Sequence, residues 1–331
     1  MDRKALLNTI NHVKPGIVSN ASLELLSHFY FSGTALVSYN DKISVLSPCE
    51  TDFTAFIRAT DLSNVVAKSS DEFMKMSLVK GKLNIKTKSM NVNLATLHDD
   101  ELSGRLDNVA KSLEKAKWKP LPDNFAECVR LCSFAASSNE SDLTLTCVRL
   151  SGNICVSSDN MRIAKANLSG EVDDMLLKAS EIGHLTAISP TKYAVSKSWL
   201  HFKNEEGCVF SIRSIIGNYP DFLEFFAFEG TSINLPKELL VGADLASIFT
   251  DNIQPSVKIT IENKFCTISV KADSGNIKHR TKIDYEGEAI TFSINPDFLK
   301  EMLNHSSTIV IGKDKARLDT DKFSLVTAFY A

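Results

Sequence analysis

Apolar residues along the chain alternate between a spacing typical of helices and a spacing typical of strands. Residues 4–13 carry a helical stripe that includes Leu6 and Ile10, and Pro15 follows, where a helix cannot continue. Short runs with the period of strands come next, then a second helical pattern over residues 61–68. A hairpin with Lys80-Gly81 at its turn closes this part of the chain.

The same order of elements is predicted twice more. Paired helices are predicted over 123–136 and 179–188, and again over 236–251 and 297–305, with strands between them. The second helices begin at 61, 179 and 297, so the offsets 179 − 61 and 297 − 179 are both 118 residues. A period of this length predicts an α+β fold of three tandem domains, each with two helices packed on an antiparallel β-sheet. We expect domains at 1–117, 118–232 and 233–331, with residues 98–118 as a partly helical connector.

Composition is that of a globular protein. The chain has 331 residues, of which 44% are hydrophobic and 23% charged, with no run of 18 apolar residues and no apolar segment of the signal-peptide kind at its start. We therefore expect a cytoplasmic protein without membrane contact. The seven cysteines contain no C-x-x-C pair, so we expect reduced, buried thiols rather than disulfides or a metal site.

No catalytic constellation is evident. The phosphate-binding, dinucleotide-binding, nucleophile-elbow and zinc-protease motifs are all absent from the sequence, and the seven histidines are scattered. We expect no catalytic residues, no cofactor and no metal.

Basic residues recur on or beside the predicted helices, although the net charge is −3. One interpretation is that these are ordinary solvated helix faces. The other is that the helices line one basic, concave surface that holds a phosphate backbone without reading bases. The residues concerned are Arg3, Lys4, Lys14, Lys68, Arg130, Lys178, Lys237 and Lys300.

The stretch from Ser211 to Phe225, S-I-R-S-I-I-G-N-Y-P-D-F-L-E-F, is a strand that ends abruptly. Gly217-Asn218 favours a turn and Pro220 cannot donate to a strand ladder. The aromatic cluster that follows has two interpretations, a completed core or a surface for a partner. Its members are Tyr219, Phe222, Phe225, Phe226 and Phe228.

Three tandem α+β repeats together with this stretch resemble the bacterial sliding clamps, the β subunits of replicative DNA polymerases. A second motif, Ser157 to Ala164 (S-S-D-N-M-R-I-A), is similar to the family's T-D-G-H-R-L segment. The resemblance spans essentially the whole chain. It implies a homodimer in which three-domain subunits close head to tail into a ring around duplex DNA, without chemistry. It also implies that the polymerase and the clamp loader insert a short peptide rich in Gln, Leu and Phe between the second and third domains.

The resemblance assigns residues to the peptide cleft and to the subunit interface. Ile248 and Phe249 correspond to an apolar pair that packs between subunits. The cleft residues would be Leu143, Ser158, Asn160, Met161, Arg162, Ile163, Pro220, Glu224, Phe225, Leu325 and Thr327.

The chain departs from the family at several of these positions. Glu224 stands where Arg is usual, and Asn160 and Met161 replace Gly and His. Such divergence is compatible with a phage or mobile-element clamp and with a different peptide preference. Alternative hypotheses are a differently assembled ring, such as a trimer, an adaptor that presents the cleft without encircling DNA, and, more distantly, an enzyme with an unrecognised site.

Overall fold

A computed structural model describes residues 1–18, 24–97, 100–251 and 254–330. Within these ranges it has seven α-helices: α1 Arg3–Val13, α2 Ala59–Lys68, α3 Asp100–Glu114, α4 Phe125–Ser133, α5 Ile182–Ala187, α6 Leu239–Ser247 and α7 Pro296–His305. None of these helices is long and apolar enough to cross a membrane.

The strands pair antiparallel throughout the described residues. The first thirteen are β1 His28–Phe31, β2 Ala35–Tyr39, β3 Ile43–Pro48, β4 Ala55–Arg58, β5 Lys75–Val79, β6 Lys82–Lys86, β7 Asn91–Leu97, β8 Lys119–Pro120, β9 Cys147–Ser158, β10 Arg162–Lys178, β11 Lys192–Val195, β12 Trp199–Lys203 and β13 Val209–Arg213. The remaining strands are β14 Thr231–Asn234, β15 Val257–Glu262, β16 Phe265–Ala272, β17 Gly275–Lys282, β18 Ile290–Ile294, β19 Thr308–Ile311, β20 Lys315–Asp319 and β21 Phe323–Ala328.

Contacts divide the chain into two compact units. Unit 1 comprises residues 1–126 and 180–215, and unit 2 comprises residues 127–179 and 216–331. Unit 1 holds one sheet of order β5-β6-β7-β4-β1-β2-β3-β13-β12-β11-β8. Unit 2 holds a six-stranded sheet, β14-β19-β20-β21-β10-β9, and a four-stranded sheet, β17-β16-β15-β18. The boundaries of the three predicted domains stay a prediction, since this division follows contacts and not repeats.

The first two helices bury the apolar positions that the pattern predicted. Leu6, Ile10 and Val13 of α1 are buried, as are Leu62 and Val66 of α2. The helix α1 begins after Asp2, whose Oδ1 accepts a hydrogen bond from the Ala5 amide at 2.8 Å. Helix periodicity therefore located both elements to within two residues.

The predicted partly helical connector contains α3, and its first residues, 98 and 99, lie outside the described part of the chain. Leu106 and Val109 of α3 pack on a cluster in the sheet of unit 1 that includes Tyr39, Phe56 and Trp199. This amphipathic face explains why a charged segment forms a long helix, because burial of the apolar stripe stabilises it.

The middle of the chain departs from the prediction. Three short strands were expected at 143–150, 154–157 and 163–167, whereas β9 and β10 are long and continuous and residues 143–146 form turns. Register shifts on β10 between Asn167 and Met175 interrupt the alternation there. A strand with such irregularities loses the period of two on which sequence prediction depends.

The third predicted helix pair is confirmed with one correction. The helix predicted over 236–251 is shorter, because α6 begins at Leu239 and ends at Ser247. Ala243 and Ala246 are buried, and Ile248, which the resemblance assigns to the subunit interface, is 69% exposed.

The cysteine side chains are reduced and buried, as the sequence predicts. All seven cysteines are free and buried. Burial raises the pKa of the thiols of Cys49, Cys128 and Cys147 to about 11 and of those of Cys208 and Cys266 to about 12. These thiols are protonated near neutral pH.

His201 links α3 to the sheet of unit 1. Its imidazole is fully buried, with Nδ1 2.8 Å from Ser211 Oγ and Nε2 2.9 Å from Ser112 Oγ. Burial lowers the pKa of His201 from 6.5 to about 4. The unfolded chain therefore takes up a proton between these values and the folded chain does not, so stability falls as the pH drops through this window.

We expect His201→Gln to remove this part of the acid sensitivity. In urea denaturation, the free energy of unfolding of the wild type should fall by on the order of 3 kcal/mol between pH 6.5 and pH 4 because of this group. The free energy of unfolding of the variant should fall less over the same interval. Above pH 7 the two proteins should show parallel pH dependence, which is the internal control. Equal declines below pH 6.5 would contradict the assignment.

Candidate functional site

The turn between β9 and β10 carries the second motif of the sequence analysis. Ser158 Oγ accepts from the Asn160 amide at 3.1 Å and donates to the Arg162 carbonyl at 2.9 Å. Asp159 Oδ1 accepts from the amides of Met161 and Arg162 at 3.0 and 2.9 Å. Asn160 has a φ of 72°, a conformation that Asn tolerates better than most residues. The S-D-N-M-R sequence is thus a self-satisfied tight turn.

Strand register assigns the residues around this turn to two faces of the six-stranded sheet. Ile163 lies opposite Ser158 on β9 and opposite Val326 on β21. Directly opposed residues share a face. We call this face, which also carries Ile154 and Val156 of β9, the outer face.

Residues 219–228 run across the outer face, and we call them the crossing segment. The Lys165 ammonium lies 4.6 Å from the centroid of the Phe226 ring, and Arg317 donates to the Phe226 carbonyl. The Arg317 guanidinium lies 5.2 Å from the Phe228 ring centroid, and the Lys315 ammonium is equally far from that of Phe225. Lys165, Arg317 and Lys315 come from β10 and β20, so cation–π contacts fasten the segment to the sheet.

A small cavity of about 180 Å³ opens between the crossing segment and β9. Pro220, Phe222 and Leu223 form one wall, and Ile154 and Val156 contribute to the other. Arg149 also lines the cavity, where it pairs with Asp174 through Nε and Oδ1 at 3.0 Å. The cavity combines apolar walls with a charged side chain, which suits an apolar side chain on a peptide.

Three of the predicted cleft residues lie on the opposite, inner face of the sheet. Arg162 lies opposite Thr327, and Leu325 lies opposite Ala164. Leu325 and Thr327 are fully buried, and the Arg162 guanidinium lies 4.5 Å from the Phe298 ring centroid of α7. On this face, these residues contribute to the packing of the sheet against α7.

The other predicted residues divide by exposure. Pro220 lines the cavity, Ser158 and Ile163 are buried on the outer face, and Met161 is half-buried. The exposed members are Leu143, Asn160, Pro220, Glu224 and Phe225.

The residues of the crossing segment differ in burial, and the role of a partner surface stays a prediction. Tyr219 and Phe226 are buried, and burial raises the pKa of the Tyr219 phenol. Leu223 and Phe225, by contrast, are each 40% exposed. A partner can therefore contact the crossing segment without unfolding it.

Sequence reasoning missed Ile154, Val156 and Val326. Ile154 and Val156 alternate on β9 as half-buried strand residues do, so their spacing was a usable signal. Val326 had no such signal, because only the register of β21 against β10 distinguishes it from Leu325 and Thr327.

The eight basic residues predicted to face DNA differ in their surroundings. Lys178 Nζ donates to Glu140 Oε2 at 2.8 Å, and Lys300 Nζ lies 3.0 Å from Asp244 Oδ1 and 2.8 Å from Asp297 Oδ1. Arg3 is half-buried and donates to the Val66 carbonyl at 3.4 Å. The exposed members are Lys4, Lys14, Lys68, Arg130 and Lys237.

Comparison with known proteins covers the whole chain. A crystal structure of the DNA polymerase III subunit beta from Pseudomonas aeruginosa superposes with a TM-score of 0.83 over 100% of this chain and 98% of that one, at 14% identity. The β chain from Streptococcus pneumoniae gives a TM-score of 0.84 over the same shares, at 19% identity. This chain has the fold of the bacterial sliding clamps.

Sequence comparison agrees with the fold. A protein named β sliding clamp from Chlamydia pneumoniae is 23% identical over 92% of this chain and 89% of its own length, and one from Chlamydia muridarum is 24% identical over the same shares. No protein-family model matches the chain. The resemblance predicted from the two motifs and the repeat is confirmed, and the chain is divergent from these sliding clamps.

We expect the Asp159 carboxylate to hold the turn mainly through the two amides it accepts. Asp159 Oδ2 also pairs with Arg162 Nε at 2.9 Å. Asp159→Ala should lower the free energy of unfolding by about 1–2 kcal/mol, whereas Asp159→Asn, which keeps an acceptor oxygen but loses this ion pair, should cost clearly less. Urea denaturation of the two variants distinguishes these effects. Equal destabilisation by both would assign the role to the ion pair instead.

Proposed function

We propose that this chain is a DNA sliding clamp that encircles duplex DNA and tethers a replicative polymerase. The observation that carries the proposal is the end-to-end agreement of the chain with structures described as DNA polymerase sliding clamps, from Pseudomonas aeruginosa and Bacillus subtilis. Three tandem domains, with boundaries near residues 117 and 232, fit this agreement. A clamp works inside the cell, and we propose a cytoplasmic location.

The proposed clamp performs no chemistry. Among the described residues, no group of three metal-ligating side chains converges. The thiols of Cys49, Cys128 and Cys147 are buried and protonated, which leaves them poor nucleophiles. Retention by a ring requires topology and modest positive charge, not a reactive group.

DNA contact in this proposal falls to the exposed basic residues near the helices. Lys4, Lys14, Lys68, Arg130 and Lys237 are exposed. Lys178 and Lys300 are held by carboxylates, so we assign them a smaller part in DNA contact. A ring retained by topology needs few phosphate contacts, which reconciles a net charge of −3 with a DNA partner.

The subunit interface in this proposal includes one side of α6 and the residue that follows it. Val241, Leu245 and Ile248 are 57%, 42% and 69% exposed and follow one another at spacings of four and three. These spacings place the three side chains on one side of a helix. Phe249 is instead half-buried, and its ring packs against Gly275 in the same unit. We therefore propose Ile248, and not Phe249, as the residue that a partner subunit covers.

Charge substitution at Ile248 tests the interface. Light scattering of the wild type should give twice the monomer mass of 36.5 kDa, and Ile248→Asp should give the monomer mass, because the apolar contact would bury a charge. Ile216→Asp, at a side chain 86% exposed elsewhere in unit 2, is the matched control and should stay dimeric. A dimeric Ile248→Asp variant would contradict the proposed interface, and a wild-type mass of three subunits would replace the dimer with another ring.

We propose that the cavity beside the crossing segment receives the partner peptide, with Pro220 and Leu223 as its apolar wall. Phe225 lies outside the lining, with its ring centroid 6.4 Å from that of the lining residue Phe222, and we propose that the peptide also contacts it. We propose that such peptides are segments of the polymerase and of a clamp loader. Lys165, Lys315 and Arg317 underlie the segment, and Arg317 Nε pairs with Asp319 Oδ2 at 2.7 Å. Asp221 also lines the cavity, so charges of both signs surround the proposed site.

Truncation of the exposed apolar side chains tests the peptide site. A fluorescent synthetic peptide of Gln, Leu and Phe residues should bind the wild type, and Leu223→Ala and Phe225→Ala should each weaken binding by roughly 1 kcal/mol or more through lost apolar contact. Ile216→Ala removes an exposed apolar side chain outside the cavity lining and should leave the affinity unchanged. Unaltered binding by both cavity variants would move the peptide site elsewhere.

A further inference from the structure

A second cavity, of about 490 Å³, lies within unit 1 between the end of α3 and the turn that joins β11 to β12. Its size falls within the range of small-molecule sites in proteins. It is separate from the cavity beside the crossing segment, and the stretch from Ser211 to Phe225 contributes Arg213 to it. Among its lining residues are Arg105, Ser112, Lys115, Ser196, Lys197 and Arg213.

Positive charge dominates the lining of this cavity. Arg105, Lys115, Lys197 and Arg213 all contribute, and the described lining contains no carboxylate. The C-terminal end of α3 adds only about half a negative charge. Four cations on one cavity in a chain of net charge −3 mark a local electropositive site.

The two guanidinium groups are held in place before any ligand arrives. Arg213 stacks on the Trp199 ring, 4.1 Å from its centroid, and its Nε donates to the Asp41 carbonyl at 2.9 Å. Arg105 pairs with the Asp41 carboxylate at 2.9 Å, and Tyr39 donates to the same carboxylate oxygen at 2.7 Å. Asp41 Oδ1 thus accepts from both Arg105 and Tyr39, and Arg213 is positioned by stacking and a backbone carbonyl.

Hydroxyl groups also line the cavity, and that of Ser196 donates to the Trp199 carbonyl at 2.9 Å. Ser112 Oγ lies 3.1 Å from Ser196 Oγ and 2.9 Å from His201 Nε2. Ser198 also lines the cavity, and Val109 and the exposed Val195 supply an apolar wall. Lys115 and Lys197 are exposed and can close on a bound anion.

We propose that this cavity binds a phosphorylated small molecule of nucleotide size. Guanidinium groups, ammonium groups and hydroxyls are the donors that hold phosphate oxygens, and planar guanidinium matches phosphate geometry especially well. The apolar wall accommodates a ring attached to the phosphates. This inference uses only unit 1 and does not depend on the proposed clamp function.

Equilibrium dialysis of the full chain tests the site, with ATP, inorganic tripolyphosphate and an oligo-glutamate peptide as probes. At about 50 mM salt, where exposed charges are only partly screened, ATP should bind saturably with one site per chain. The double variant Lys115→Glu with Lys197→Glu should weaken ATP binding by about tenfold or more, because two attractive charges become repulsive.

Lys111→Glu with Lys192→Glu is the matched control, since both lysines are exposed, lie on α3 and β11, and are absent from the described lining. This control should bind ATP within about twofold of the wild type, as expected for charges screened by solvent. Tighter binding of ATP than of tripolyphosphate would support the apolar wall as part of the site. Absence of saturable ATP binding, equal loss in the control, or binding of the acidic peptide alone would overturn the proposal.

Discussion

Backbone pairing of strands that belong to different predicted repeats is the constraint on which the rest of the structure depends. In unit 1, β13 pairs with β3, and in unit 2, β10 pairs with β21. Each repeat by itself would leave an unpaired edge strand, which is a site of aggregation unless something covers it. Pairing with the next repeat satisfies those backbone groups and extends each sheet beyond one repeat.

The candidate peptide site follows from this pairing. Because β10 lies between β9 and β21, the six-stranded sheet has an inner face for α7 and an outer face for the crossing segment. Cations from β10 and β20 hold the aromatic segment, and the space left beside Pro220 forms the cavity. The candidate peptide site thus depends on the order of the strands in the sheet, and for this reason it contains residues that are distant in sequence.

Helix positions were predictable because each helix buries a stripe with a period of 3.6 residues, as Leu6 and Ile10 of α1 do. Register was not predictable. A shift of one residue on β21 exchanges Val326 for Leu325 and Thr327, and no local pattern reports which of them faces the crossing segment. Likewise, the helical spacing of basic residues could not show that Lys178 and Lys300 are already paired with carboxylates, since those partners depend on tertiary structure. Nor could the helical pattern show that α6 ends at Ser247, one residue before the exposed Ile248.

The central claim, that the chain holds DNA by topology, is tested most directly by retention on circular and linear DNA. The protein would be placed on a nicked circular plasmid with a bacterial clamp loader and ATP, separated from free protein by gel filtration, and examined before and after a restriction enzyme linearises the plasmid. A ring should remain on the circle through washing at high salt, where ordinary phosphate contacts fail, and should leave promptly after linearisation. Equal retention on both forms, or equal loss from both in salt, would contradict a sliding clamp.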